Sequence, residues 1–136
     1  MIYPLEGEVV PYVIVRKAGR KIGIVGLLTD LSNVVSADIA AVLKYQSPAD
    51  VAEKYGLELK AKGCDLVIAL THLGYESENY TDVQLASATS GIDVIVGGHS
   101  HTYLTEAVPV KNKDGKDVII VTDGKWGLNM GKLVIR

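Results

Sequence analysis

The sequence predicts an α/β domain built on a mixed sheet with flanking helices. Short Val- and Ile-rich runs alternate with segments that open on helix-capping residues; the central runs are apolar throughout, as in strands covered on both faces; and the last third returns to strands around a polar turn. With 136 residues, 48% hydrophobic and 22% charged, the chain has the profile of one globular domain able to bury roughly two thirds of its unfolded surface. No repeat, low-complexity stretch or linker divides residues 1–136, so they read as a single domain.

Residues 9–15 and 21–28 are apolar and separated by Ala18-Gly19-Arg20, which predicts a hairpin. Residues 31–45 show no clean period and read as a loop with a short helical turn. Ser47-Pro48-Ala49-Asp50 combines a cap residue, a proline at the first helical position and an acid three residues after the serine; a helix then runs to about Lys62 and stops at Gly63. The continuous apolar run 65–70 follows as a buried strand. Thr81-Asp82 opens a second helix through about Ala88, and Ser90-Gly91 breaks it before the strand 93–96. This alternation predicts parallel strands joined by right-handed crossovers. Residues 107–110 and 118–122 flank the turn Asn112-Lys113-Asp114-Gly115 and read as antiparallel, with a last strand at 132–136.

Fourteen Lys and Arg against sixteen Asp and Glu leave a formal charge of −2, and no window concentrates positive charge enough to follow a phosphate backbone, so nucleic-acid binding is not expected. The longest apolar runs fall far short of the roughly 18 residues that a membrane span needs. Pro4 and Glu6 follow Met1 without a basic and apolar leader, so no secretory signal is expected within these residues. The lone Cys64 cannot form an intrachain disulfide and reads as a small buried side chain.

The chain has three histidines, His72, His99 and His101, each at the C-terminal end of a predicted core strand. In open α/β sheets ligands bind in the crevice beyond those ends, where loops converge over a rigid sheet. His99 and His101 are two residues apart, so in an extended chain both rings would project to one side, with Ser100 pointing away. Gly97, Gly98 and Gly74 remove bulk where a ligand would approach. Single histidines in glycine-rich turns are ordinary surface residues, but three at strand ends favour metal ligation. A serine or cysteine nucleophile is disfavoured, since no G-x-S-x-G elbow is present and Cys64 lies at the wrong end of its strand.

Asp65-Leu-Val-Ile-Ala-Leu-Thr-His72-Leu-Gly74, Asp82-Val-Gln-Leu-Ala86 and Gly91-Ile-Asp-Val-Ile-Val-Gly-Gly-His99-Ser-His101-Thr102 resemble the second, C-terminal half of the calcineurin-like metallophosphoesterase domain of the 5'-nucleotidase family. Pro11-Tyr-Val-Ile, Lys21-Ile-Gly-Ile-Val-Gly-Leu and Gly124-Lys-Trp-Gly-Leu-Asn-Met-Gly131 resemble its flanking segments, with Asn129 where an aromatic residue is more usual. The resemblance implies about half of a four-layer α-β-β-α sandwich. It also implies a dinuclear site, holding Zn, Mn or similar divalent ions, that hydrolyses nucleotide or related phosphoesters by in-line displacement. Carried over by position, His72 and His99 would ligate one metal and His101 the other. No residue of this chain is assigned a catalytic or substrate-binding role. Asp82 matches a recurrent family position, yet reads more simply as a capping or dipole-favoured acid. Glu76 and Glu78 read as solvated loop charges, and Trp126, between Gly124 and Gly127, as a packing residue at a turn rather than a base-stacking one.

The family's first half contributes an Asp-x-His motif, a Gly-Asp motif and a Gly-Asn-His motif, and none occurs here. The expectation is therefore a partial domain that binds divalent metal weakly or not at all and has little or no activity alone, from a parent hydrolase that is periplasmic or extracellular by resemblance. The competing expectation is a non-catalytic metal-binding or assembly module on the same scaffold, and a mononuclear site with three imidazoles is a third. Half a sandwich leaves one sheet face bare, so a homodimer through that face is expected.

Overall fold

The computed structural model describes residues 9–32 and 34–135, so the reading of the first eight residues for a leader lies outside the described residues. The hairpin forms as β1 (Tyr12–Lys17) and β2 (Arg20–Leu28). Its two-residue connection places Ala18 at φ 49° and Gly19 at φ 77°, the left-handed pair that matches the twist of the flanking strands. The loop that follows holds one short helix, α1 (Ala37–Ala40).

Helix α2 (Pro48–Ala61) starts where the sequence places it, the Ser47 hydroxyl accepting a bond from the Asp50 N–H, and stops before Gly63 at φ 78°. β3 (Leu66–His72), α3 (Asp82–Ala88) and β4 (Val94–Val96) complete two crossovers, β2 to β3 and β3 to β4, both parallel. A capping box opens α3: the Thr81 hydroxyl accepts from the Gln84 N–H and the Gln84 side chain accepts from the Thr81 N–H. β5 (Val108–Lys111) and β6 (Asp117–Val121) form the second hairpin, and β6 pairs parallel to β4. The result is one six-stranded mixed sheet in the order β1-β2-β3-β4-β6-β5.

The expected last strand does not form. Residues 132–135 carry no strand, and Arg136 lies outside the described residues. A strand needs a neighbour's backbone to bond with; this segment pairs with neither edge, β1 nor β5, although Leu133, Val134 and Ile135 have strand-like apolar character.

α2 packs on β2 and β3, and α3 on β5 and β6. Val25, Leu27, Val67, Ala69, Ile95, Val118 and Ile120 point to the helices and form the core with Ala52, Leu59 and Leu85. Cys64 is free and buried, as its position suggests. The alternate residues face the other way. Register places Ile24, Ile68, Val94 and Ile119 in one row across four strands, then Leu70, Val96 and Val121, then Leu28 beside His72. Leu28 is 59% exposed and Leu70 48%, so this second face is apolar and bare toward its C-terminal edge. Among the described residues no helix is long and apolar enough to cross a membrane.

α2 seats closely because two glycines meet. A Cβ on Gly91, in the turn before β4, would lie 2.4 Å from the backbone carbon of Gly56 in the middle of α2. Gly91→Ala must therefore push the helix off the sheet, and urea denaturation should show a loss of about 2 kcal/mol. Gly26→Ala has open space around its Cβ and should leave stability within about 0.5 kcal/mol.

Candidate metal centre

The parallel strands β2, β3, β4 and β6 end together at one edge, and the loops after them are hydrogen-bonded to one another. The Thr29 N–H donates to the His72 carbonyl, the Gly97 N–H to Val121, and the Gly124 N–H to Thr102. The loop after β4 also pairs with the loop after β6 through a bridge between Tyr103 and Asp123. This rim carries all three histidines, each exposed to solvent.

His72 is the last residue of β3 and shares the bare face with Leu70. Its ring meets that of His99 edge to face, with centroids 5.0 Å apart and planes at 69°. Two imidazoles bound to one tetrahedral ion have centroids on the order of 5 Å apart, a separation this pair matches. His101 is placed differently: its ring lies 6.3 Å from that of Trp126. Among the described residues no three His, Cys, Asp or Glu side chains are gathered as a metal-binding group.

Contrary to expectation, His99 and His101 do not lie in extended chain, where alternate side chains share a side; both adopt left-handed backbone, φ 76° and 57°, as does Trp126 at φ 58°. Non-glycine residues held there cost on the order of 1 kcal/mol each, and three of them on one rim mark a segment shaped by something other than local preference. Gly97 and Gly98 precede the turn as expected, and a Cβ on Gly98 would come to 3.3 Å from the His72 Nδ1. Ser100 is tied down rather than free: its hydroxyl accepts from the Tyr75 N–H at 3.0 Å and lies 2.8 Å from the Thr102 hydroxyl. That bond clamps the loop after β4 to the loop after β3.

Trp126 is 79% exposed, so it is not the packing residue its glycine neighbours suggested; the Lys125 ammonium lies 4.2 Å from the centre of its ring. Glu76 and Glu78 are exposed loop charges, as read from the sequence.

Asp82 departs from its expected role. Thr81 caps α3, which leaves the Asp82 side chain free, and it turns inward: the residue is 0% exposed, Oδ1 accepts from the Thr71 hydroxyl at 2.6 Å, and Oδ2 has no hydrogen-bond partner among the described residues. The redundancy of an acid immediately after a competent cap was the sequence signal for this, and it was missed. Burial pushes the Asp82 carboxyl up to about 6, against the weaker downward pull of the Thr71 bond.

No protein-family model matches the chain. It is 29% identical over an alignment of 142 residues to the snake venom 5'-nucleotidase of Gloydius brevicauda, covering 95% of this chain and 23% of that protein. The crystal structure of the 5'-nucleotidase precursor from Thermus thermophilus is 35% identical and superposes with a TM-score of 0.76, covering 90% of this chain and 26% of that one. The calcineurin-like phosphoesterase YfkN from Bacillus subtilis is 26% identical with a TM-score of 0.64, covering 86% of this chain and 42% of that one. The homologues of this chain are thus 5'-nucleotidases and calcineurin-like phosphoesterases, and it has their α/β fold with a mixed sheet. It spans about a quarter of the length of the 5'-nucleotidases it matches.

The buried carboxyl makes stability depend on pH in a defined direction. A pKa of about 6 in the folded chain against an ordinary 3.8 means the folded state binds the proton more tightly. Stability from this group is therefore greatest below about pH 4, falls as pH rises through about 6, and is then lower by roughly 3 kcal/mol. Asp82→Asn removes this dependence. Denaturation curves should show the variant gaining on the parent between about pH 4 and pH 7; a constant difference would contradict the assignment.

Proposed function

We propose that this chain forms one wall of a metal-dependent phosphoesterase centre of the 5'-nucleotidase kind. The observation that carries the reading is the facing pair His72 and His99 at the strand ends. Its relatives' names support a nucleotide or related phosphoester as the substrate of the parent protein. A venom enzyme and a precursor among those relatives support an exported parent, extracellular or periplasmic.

In this reading His72 and His99 hold one ion. His101, whose ring lies 6.3 Å from that of Trp126, would hold a second. When bound, the divalent ions supply Lewis acidity and a water that is acidic at neutral pH. The chain's own residues do the rest of what it can do: Gly74, Gly97 and Gly98 keep bulk away from the rings, and the bond from the Tyr75 N–H to Ser100 fixes the separation of the two loops. The carboxylates of a dinuclear site would, in this reading, come from outside this chain. Because His72 belongs to the bare sheet face, whatever covers that face also reaches the rim, so the remaining donors and the missing cover arrive together.

A second reading, a module that keeps the scaffold without chemistry, is favoured by the absence of a third gathered donor among the described residues. Metal analysis after mild dialysis and turnover of a generic phosphomonoester decide what this chain does alone. Less than stoichiometric metal and turnover near background are expected, because each ion would keep at most two donors from this chain. Two tightly held ions with robust turnover would overturn the partial-site reading, and one tightly held zinc per chain would favour a mononuclear centre.

The bare face carries the second prediction. A continuous band of Leu28, Leu70 and Val96 is the kind of surface that monomers seldom leave in water, and we propose that two copies pair through it. Light scattering should give the mass of a dimer, with Leu70→Lys returning the mass of one chain. A monodisperse monomer at high concentration would refute the pairing.

A further inference from the structure

We propose that Asp82 is a positioning residue: from beneath the rim it sets the placement of His72 relative to His99. Its consequence for cation binding rests on the metal-ligand reading above; the placement itself does not.

Asp82 touches both histidine-bearing segments. Its N–H donates to the Gly74 carbonyl at 2.8 Å, two residues after His72, and its Oδ1 accepts from Thr71, the residue before His72. Its Oδ2 lies under Gly97, two residues before His99, so closely that a Cβ there would come to 2.3 Å. Gly97 is thus the floor on which the loop after β4 rests, and Asp82 is the support below it. Gly74 in turn borders the His99 ring, where a Cβ would lie 3.5 Å from Cδ2. Asp82 on α3 therefore meets both loops, the one after β3 through its backbone N–H and the one after β4 through its side chain, which also holds Thr71 beside His72.

The choice of a carboxylate is costly. Asp82 is fully buried, forms no ion pair among the described residues, and keeps one oxygen without a donor. The helix does not need it, since Thr81 and Gln84 already satisfy the first turn. Asparagine would accept the Thr71 bond without a buried charge, but it would set an amide NH2 group against Gly97 in place of Oδ2. A carboxylate buried beneath the segments that carry two imidazoles is compensated when a cation binds those rings, and outer groups of this kind orient ligands and tune the affinity of the metal they hold.

The test compares Asp82→Asn, Thr71→Val and Thr71→Ser with the parent chain. Metal-free imidazole nitrogen–proton spectra should show the His72 and His99 signals displaced in Asp82→Asn and Thr71→Val, while His101 is unmoved and Thr71→Ser matches the parent. Cobalt(II) titration followed by its visible absorption should show about tenfold weaker binding in Asp82→Asn. Unchanged His72 and His99 signals in a folded Asp82→Asn, or in Thr71→Val should the first variant fail to fold, overturn the proposal. Cobalt binding that survives in the His72→Ala, His99→Ala double variant instead refutes the metal-ligand reading, and the metal-free spectra then decide the role of Asp82 alone.

Discussion

The parallel register of β2, β3, β4 and β6 is the constraint on which the rest of this molecule depends. Because these strands run the same way and pair without slippage, their carboxyl ends stop along one line, and every loop that leaves them starts from that line. A shift of one residue in β3 would turn His72 to the helical side and carry Leu70 into the core with it. The backbone bonds from Thr29 to His72 and from Gly97 to Val121 extend the ladder just past the strands, so the rim is braced where the histidines begin.

The two faces of the sheet do different work. On one, α2 and α3 bury a core whose packing is close enough for Gly56 and Gly91 to touch backbone to backbone. The other is apolar and carries no helix among the described residues, as the inner face of a sandwich would. The facing histidines lie at the corner where that face meets the rim, with His72 in both, so anything that buries Leu70 and Leu28 comes within reach of the imidazoles.

Strain and burial cost concentrate in the same place. His99, His101 and Trp126 hold left-handed backbone, and Asp82 holds a carboxyl away from water with one oxygen unbonded. Elsewhere the Ser47 and Thr81 caps satisfy their helices in the ordinary way, and among the described residues the one further non-glycine residue with left-handed backbone, Ala18, sits in the β1–β2 turn. Departures from such rules are expected where a fold has been bent to hold a ligand.

The amino-acid order by itself determined all the elements but the last strand, the parallel core and the strand-end location of the histidines, because capping residues, turn glycines and apolar runs act over a few neighbours. It overreaches at residues 132–135, where strand character finds no neighbour, and at His99 and His101, where the extended chain that would align the two rings is replaced by left-handed backbone. Only the tertiary structure decided that His72 faces His99 while His101 faces Trp126, that Trp126 is exposed, and that Asp82 lies buried under Gly97. Those facts depend on contacts between residues far apart in the chain, and a local pattern carries no information about which distant backbone will arrive beside it.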